Sequence, residues 1–359
     1  MGRKAFVKNI IGKVTVKNRL VRSAAGSGVA SKEGYVTDDV RKWYEKVADG
    51  GAGLIISEMM TAWDDGNFPE NYLRIDDDVY IDGLTSVADI VHKRNSKIIA
   101  QIGNYGSLLH WEANKPPVGP SKIKDEISGI TAKALSEKEI REIINYFIDA
   151  AIRAEKAGFD GVQIHAAHGF LLNKFINPYY NRRNDAYGKD TEGRSKIIVD
   201  IHNGISKACG DKFLVLLKIN SSDFIDDDYG FKFDESRKVC NYLSSVGFDA
   251  IEISSGLAGG KITPARPINE VAYNLEHTKI ISEDIQTPVI LVGGIRSFDI
   301  AEEILSSTSI HSIAMTRALT YEPELIKRWE EEGKVKSKCI ACNKCFTTEG
   351  QMCVFNIGK

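Results

Sequence analysis

The sequence predicts an α/β protein whose core is a closed (β/α)8 barrel. Eight short apolar runs occur along the chain, and a stretch with helical periodicity follows each of them. Near-continuous apolar strands joined by helices are typical of a parallel barrel. A doubly wound open sheet is the alternative, but such a sheet does not need eight units at this regular spacing.

The apolar runs are the candidate barrel strands, and they span residues 20–23, 53–58, 97–102, 161–166, 213–220, 250–254, 288–293 and 312–316. The predicted helices cover residues 37–49, 78–95, 136–157, 192–208, 234–246, about 274–284, 298–306 and 322–332. Ser136 followed by Glu139 is a capping-box pattern, which indicates the start of the longest helix.

The segments outside the eight units predict a cap, a tail and three long loops. Residues 6–19 alternate apolar and polar side chains around Gly12, so we expect a β-hairpin that covers the barrel floor. Loops over residues 103–135, 169–191 and 255–273 are expected on the face where the strands end. The predicted division is a barrel over residues 1–335 and a short cysteine-rich extension over residues 336–359.

Composition predicts a cytoplasmic globular protein. Of the 359 residues 43% are hydrophobic and 27% charged, and the net charge of −2 gives no reason to expect nucleic acid or an anionic membrane. No apolar run approaches the roughly 20 residues that span a bilayer, and we see no secretory signal.

Four of the six cysteines, Cys339, Cys342, Cys345 and Cys353, lie in the last 21 residues. In a cytosolic protein such clustering favours a metal site over disulfides.

Two histidines, His165 and His168, lie at the end of the fourth predicted strand. Catalytic groups of parallel barrels lie at the C-terminal strand ends. Neutral imidazoles placed there can donate hydrogen bonds to an oxygen that gains negative charge during a reaction. The alternative is a pair of histidines whose hydrogen bonds serve only the strand end.

A phosphate site is predicted after the last two strands. Gly293 and Gly294 end the seventh strand, and Thr316 and Arg317 end the eighth. In this architecture the two loops offer backbone N–H groups and a helix N-terminus to phosphate, and an arginine can add a bidentate contact. The glycines would also suit tight turns without any ligand.

Gln101 and Lys218 lie in the third and fifth predicted strands, where their side chains can reach the barrel mouth. A buried amide and a positive charge beside a phosphate site suit a planar heterocycle, and reduced flavin, which is anionic at N1, fits. The alternative for Lys218 is a lysine that extends to the surface, although the apolar residues before it make this less favourable.

Several segments closely resemble the old yellow enzyme family of flavin reductases. They are KNRLVRS (17–23), GGAGLII (50–56), Gln101, HAAHG (165–169), NRRNDAY (181–187) and VGG (292–294). The resemblance runs from about residue 6 to residue 329. The tail CIACNKC (339–345) is similar to the iron–sulfur segment of the branch that contains 2,4-dienoyl-CoA reductase and trimethylamine dehydrogenase.

This resemblance implies a TIM barrel with FMN at its mouth and electrons from NAD(P)H. It implies that His165 and His168 bind the oxygen of an activated alkene, carbonyl or nitro-type acceptor, to which reduced flavin transfers a hydride. The implied flavin contacts are Ser23, Ala24 and Ala25 at the ring, Gln101 at the pyrimidine edge, Lys218 near N1, and Gly293, Gly294, Thr316 and Arg317 at the phosphate.

Three departures from the family pattern concern the chemistry. Phe170 stands where relatives have the tyrosine that donates a proton, and a phenyl ring cannot do so. Gly26 stands where relatives have a threonine or cysteine near the flavin O4. The segment NYGS (104–107) replaces a common HAGR, so Tyr105, Tyr35 or a water would have to supply the missing hydroxyl.

The tail spacing C-x2-C-x2-C-x7-C supplies four thiolates, enough for a [4Fe–4S] cluster or for zinc. The resemblance favours the cluster over zinc or vacant thiols, although the gap before Cys353 is shorter than in the related branch. That branch continues into a second nucleotide-binding region, which is not in this sequence. A cluster would therefore exchange electrons with a separate protein, such as ferredoxin or a partner flavoprotein.

Four functions remain open at this point. The leading one is reduction of an activated alkene or related acceptor. The second is oxidation of an amine-like donor with electrons leaving through the cluster, which needs no tyrosine acid. A zinc-dependent hydrolase built on His165 and His168 would leave Gln101, Lys218 and the phosphate loops unexplained. An electron-relay subunit without its own substrate is the fourth.

Overall fold

The computed structural model describes residues 3–109, 112–258, 270–333, 336–346, 348 and 352–356. Its core is a closed barrel of eight parallel strands in sequence order, which confirms the predicted (β/α)8 TIM barrel. The barrel strands, called strands 1 to 8 below, are Leu20–Arg22, Leu54–Thr61, Lys97–Gly103, Gly161–Ala166, Leu214–Asn220, Ala250–Ser254, Val289–Val292 and Ser312–Met315.

Helices surround this barrel close to where periodicity predicts them. They are Asp38–Asp49, Ile81–His92, Glu137–Lys156, Leu171–Ile176, Thr191–Cys209, Phe233–Ser244, Leu275–Asp284, Phe298–Ser307, Arg317–Tyr321 and Leu325–Glu332. Short 3-10 helices cover Lys4–Phe6, Asp78–Tyr80 and Lys344–Phe346. The capping box of Ser136 and Glu139 is present. Several short elements were not predicted: the helices Leu171–Ile176 and Arg317–Tyr321, the 3-10 helices Lys4–Phe6 and Lys344–Phe346, and the parallel strands Val118–Gly119 and Lys133–Ala134.

The predicted hairpin forms the barrel floor. Asn9–Ile11 pairs antiparallel with Val14–Val16, and the buried Ile11 and Val16 pack in one cluster with the lower inward residues of the strands. Because alternate residues of a strand point inward, strand 5 contributes Leu214 and Leu216 to this apolar floor and then Lys218 above it. The interior thus changes from apolar to polar on the way to the mouth.

The larger apolar cluster lies between the strands and the helices, where the outward strand residues meet the inner faces of the helices. Among the described residues, every helix is too short or too polar to cross a membrane.

Candidate active site

A buried hydrogen-bonded layer crosses the barrel just above its apolar floor. Nε2 of Gln101 donates to Oε1 of Gln163 at 2.7 Å, and Nε2 of Gln163 donates to Oε2 of Glu252 at 2.8 Å. The other oxygen of Glu252 accepts from Oγ of Ser23 at 2.5 Å and from Nζ of Lys218 at 3.1 Å. Strands 3, 4, 5 and 6 and the end of strand 1 therefore each contribute one polar side chain to one level. We call these five residues the polar layer.

The polar layer is sealed from solvent. Lys218 is only 3% exposed, so the alternative that it extends to the surface is wrong. Glu252 is fully buried, and its carboxylate forms an ion pair with the Lys218 ammonium. A buried charge is tolerated only when it is paired and hydrogen-bonded, and here both conditions are met for the carboxylate.

His165 lies directly above this layer. It follows Gly161 and Gln163 on the inward face of strand 4 and stands beside Lys218 in the register of strands 4 and 5. Its Nδ1 accepts the N–H of Ala167 at 3.2 Å, so the ring proton is on Nε2. Burial and the charge of Lys218 hold the pKa of His165 well below its usual range. His165 is therefore a neutral hydrogen-bond donor.

His168 is brought next to His165 by an unusual backbone turn. The ring centroids of the two histidines lie 5.2 Å apart. His168 has a φ of 62°, a left-handed conformation that costs a non-glycine residue about 1 to 2 kcal/mol. Its Nε2 lies 2.7 Å from Oγ of Ser254, at the end of strand 6. The strained turn and Ser254 together fix the direction of the second imidazole.

An apolar wall of aromatic and aliphatic side chains stands beside the histidines. The ring of Phe170 packs edge-on against His165 and against Tyr105, with centroids 4.8 Å apart in both pairs. Met59 and Leu108 complete its buried core. Burial, followed by Tyr72 and Glu58, raises the pKa of Tyr105, so its hydroxyl keeps its proton. Tyr35, by contrast, is 45% exposed and packs on Tyr80.

The segment after strand 1 lies at the same mouth. Ala24 and Ala25 are half-buried there. The buried carboxylate of Glu58 accepts the N–H of Ser27 at 2.5 Å and that of Leu73 at 2.7 Å, which fixes the course of this segment. Burial raises the pKa of Glu58.

The glycines after strand 7 are required by their surroundings. Gly293 has a φ of 145°, and a Cβ there would come within 2.9 Å of both Nδ2 of Asn274 and the ring of Tyr273. Gly294 has a φ of 72°, and its Cβ would come within 2.9 Å of the carbonyl oxygen of Glu270. These close contacts leave no room for a side chain at either position, which explains why both residues are glycine. The backbone of the two glycines lies at the barrel mouth.

Thr316 precedes the short helix Arg317–Tyr321 at the end of strand 8. Arg317 is directed toward the cysteine-rich tail: its Nη1 donates to Oδ1 of Asn343 at 2.7 Å. Arg296 holds the same tail, since its Nη1 donates to the carbonyl oxygen of Cys339 at 3.3 Å. The tail therefore lies against the ends of strands 7 and 8.

The four tail cysteines line one pocket, together with Arg317, Ile340, Ala341, Asn343 and Phe355. Arg22 is fully buried at the end of strand 1, and burial lowers the pKa of its guanidinium to about 10, against the opposing effects of Tyr44 and of the nearby Cys345 thiol. Within the described ranges, no three histidine, cysteine or carboxylate side chains form a ready-made metal site. The pocket thus brings together the predicted thiols beside the barrel mouth.

Sequence reasoning missed Gln163, Glu252, Glu58 and Ser254. The available signal for Gln163 and Glu252 was a polar residue inside an apolar run, the same signal that identified Gln101 and Lys218.

The neutral state of His165 predicts a pH dependence of stability. The unfolded imidazole titrates near pH 6.5, whereas the folded one stays neutral well below that value. As the pH falls below about 6.5, the unfolded chain gains a proton that the folded chain does not, so stability falls by up to about 1.4 kcal/mol per pH unit. Denaturant unfolding between pH 7 and pH 5 should show a smaller loss in a His165→Asn variant than in the wild type. Equal losses in the two proteins would contradict the neutral assignment.

Comparison with known proteins places these features in a family. Residues 8–335 match the NADH:flavin oxidoreductase / NADH oxidase family. The chain is 31% identical to an NADH oxidase of Thermoanaerobacter brockii over 94% of its own length and 52% of that protein. It therefore spans about half the length of that relative.

Two solved structures share the fold. A 2-naphthoyl-CoA reductase in complex with 2-naphthoyl-CoA superimposes with a TM-score of 0.88 at 23% identity, covering 95% of this chain and 54% of the other. An old yellow enzyme homologue from Zymomonas mobilis superimposes with a TM-score of 0.78 at 24% identity, covering 92% and 94%.

Proposed function

The chain belongs to the NADH:flavin oxidoreductase / NADH oxidase family, and we propose that it is an FMN-dependent oxidoreductase of the ene-reductase type. Its acceptor is an activated alkene or a similar carbonyl or nitro compound, and its electrons come from NAD(P)H or through an iron–sulfur cluster. The observation that carries the proposal is the polar layer, with neutral His165 directly above it.

The residues present fit the polar edge of an isoalloxazine ring. A buried ammonium at Lys218 suits the charge that develops near N1 on reduction, and the amide of Gln101 suits a pyrimidine edge. Ser23, Ala24 and Ala25 would lie along the ring. The phosphate would be held by the Arg317 side chain and by backbone groups of Gly293, Gly294 and Thr316. Arg317 would do so while one of its nitrogens stays bonded to the tail.

When FMN is bound, it supplies hydride chemistry, and the protein supplies binding and electrostatics. Nε2–H of His165 donates a hydrogen bond to the acceptor oxygen and stabilises the charge that develops there. His168, fixed by Ser254, orients the same group. The ring of Phe170 excludes water from one side and donates no proton, so the proton for the second carbon comes from a water or from the hydroxyl of Tyr105.

The convergence of Cys339, Cys342, Cys345 and Cys353 on one pocket supports a [4Fe–4S] cluster in the tail. Four thiolates beside buried arginines suit an anionic cluster. We propose that a ferredoxin or a partner flavoprotein exchanges electrons with it. The division into a barrel over 1–335 and a tail over 336–359 belongs to this proposal, and a cytoplasmic location stays a prediction from the cysteine usage.

Phe170 favours a second candidate function. Oxidation of an amine-like donor removes a hydride and needs no acid to protonate carbon, so a phenyl ring at this position is no disadvantage. Electrons would then leave through the tail instead of entering from NAD(P)H.

An absorption spectrum of anaerobically purified protein, with iron and sulfide analysis, tests the proposal. We expect a flavin spectrum with about four iron atoms per chain. Protein without flavin would overturn the main proposal, and flavin without iron would remove only the cluster. Anaerobic turnover of a cyclic enone with NADH or NADPH, compared with turnover of a secondary amine with an artificial electron acceptor, then separates the two functions.

A further inference from the structure

Glu252 is a buried carboxylate in the middle of strand 6, between the apolar residues Ile251 and Ile253. It is fully buried on strand 6, in register with Lys218 of strand 5, and its Oε1 lies 3.1 Å from Nζ of that lysine. The same oxygen accepts from Ser23, and the second oxygen accepts from Gln163. An inward leucine at this position would extend the apolar floor at no electrostatic cost, so the carboxylate serves the charge beside it.

We propose that Glu252 is a positioning residue for flavin chemistry: its carboxylate is the counterion that holds Lys218 protonated and fixed against Ser23 before the flavin is reduced. This inference rests on the proposed function, because it assumes that FMN binds above the polar layer. It assigns Glu252 no contact with substrate or flavin. Glu252 acts on the flavin through Lys218 and, at the other end of the polar layer, through Gln163 and Gln101.

The groups that face Lys218 show why the counterion matters. Strand 4 presents His165, which is neutral, and strand 1 presents the hydroxyl of Ser23 at 3.1 Å from Nζ. Strand 6 presents Glu252, the carboxylate with which Lys218 forms its ion pair. An ammonium this deeply buried loses its proton readily when no anion faces it. Without Glu252, Lys218 would therefore be neutral beside oxidised flavin and would regain its proton when a negative charge forms at N1.

This coupling changes the number of protons taken up. When FMN is bound, its reduction to the form that is anionic at N1 would take two electrons and one proton, which NAD(P)H delivers together as a hydride to N5. In the wild type the Lys218 ammonium is already paired with Glu252, so the reduction would need only the one proton that goes to N5. Without Glu252 a second proton binds Lys218 in the same step.

The test is the pH dependence of the midpoint potential of FMN bound to the full chain. For a two-electron couple one proton corresponds to about 30 mV per pH unit, since a tenfold change in an equilibrium constant is 29.6 mV. We expect this slope between pH 6.5 and pH 8 for the wild type and twice this slope for Glu252→Gln. A Glu252→Gln variant with the wild-type slope would overturn the inference.

Two further variants make the result specific. Asp249→Asn removes the same charge at the residue immediately before strand 6, where Asp249 accepts the N–H of Val215 at 2.8 Å, and should keep the wild-type slope. The double variant Lys218→Met with Glu252→Gln has no lysine to titrate and should return to the single-proton slope. A doubled slope in either would show that the effect does not come from the Glu252–Lys218 pair.

The inference stays testable even if Glu252→Gln does not fold. Reduction of the wild type by one equivalent of NADH or NADPH at pH 7 in weakly buffered solution transfers a hydride, so it should take up no proton from solution, and an uptake of one proton per flavin would overturn the inference. A wild-type chain that binds no FMN would overturn the proposed function itself. A wild type that binds FMN, with an unchanged Glu252→Gln slope, would overturn only the role of Glu252.

Discussion

Replacing His165 by alanine is expected to lower the rate of acceptor reduction by about 100- to 1,000-fold, the loss typical of removing one donor to a developing oxyanion. The reason is the fixed geometry of the imidazole: the N–H of Ala167 occupies Nδ1, so Nε2 is always the donor. FMN should remain bound, because the proposed flavin contacts Ser23, Gln101 and Lys218 are separate side chains. The measurement is single-turnover oxidation of dithionite-reduced enzyme by a cyclic enone, followed by flavin absorbance.

His92→Ala is the matched control for this prediction. His92 ends the second long helix, and its Nε2 pairs with Asp160, which lies before strand 4 at the opposite end of the barrel from His165. The same substitution there should leave the oxidation rate within about twofold of wild type, since substitutions away from the site change little. If His165→Ala oxidised as fast as His92→Ala, the donor role of His165 would be wrong.

The second large effect concerns the tail. Cys339→Ala is expected to reduce the iron content from about four atoms to less than one per chain, because a [4Fe–4S] cluster needs four thiolates. Flavin content should be unchanged, and NAD(P)H-driven reduction of the acceptor should continue if electrons enter at the flavin. Electron exchange with a ferredoxin should fall below detection. Iron and sulfide analysis, flavin extraction and a ferredoxin reduction assay measure the three quantities.

Cys209→Ala is the control for the tail. Cys209 ends the helix Thr191–Cys209 and is half-buried away from the cysteine pocket, so its loss should leave iron content unchanged. Equal iron in Cys339→Ala and in the wild type would show that the tail cysteines do not hold the cluster.

The barrel itself was predictable from the sequence because each strand and helix has a local periodic signal. The eight predicted strands agree with the structure to within a few residues, and the hairpin before them packs under the floor as expected. The helix Leu171–Ile176 was not predicted, because all six of its side chains are buried and it therefore has no amphipathic period. Val118–Gly119 and Lys133–Ala134 were missed because two residues per strand are too few to show alternation.

The candidate site was only partly predictable. Position at a strand end identified His165 and His168, and the loops identified Gly293, Gly294, Thr316 and Arg317. Sequence spacing could not show that Arg317 also holds the tail, since its partner Asn343 lies 26 residues further along the chain. It also could not show that Phe170 packs against His165 and Tyr105, because that contact depends on the loop after strand 3.

The sequence by itself determined the fold class, the face of the barrel where chemistry occurs, and the residue types available there. These follow from patterns within a few neighbouring residues, which hydrophobic burial converts directly into strands and helices. Only the tertiary structure decided which polar side chains form hydrogen bonds and ion pairs with one another. Ser23 and Glu252 are 229 residues apart in sequence yet share a hydrogen bond, because barrel closure brings strand ends together whatever their separation along the chain. The ion pair of Lys218 with Glu252 and the neutrality of His165 both depend on that closure.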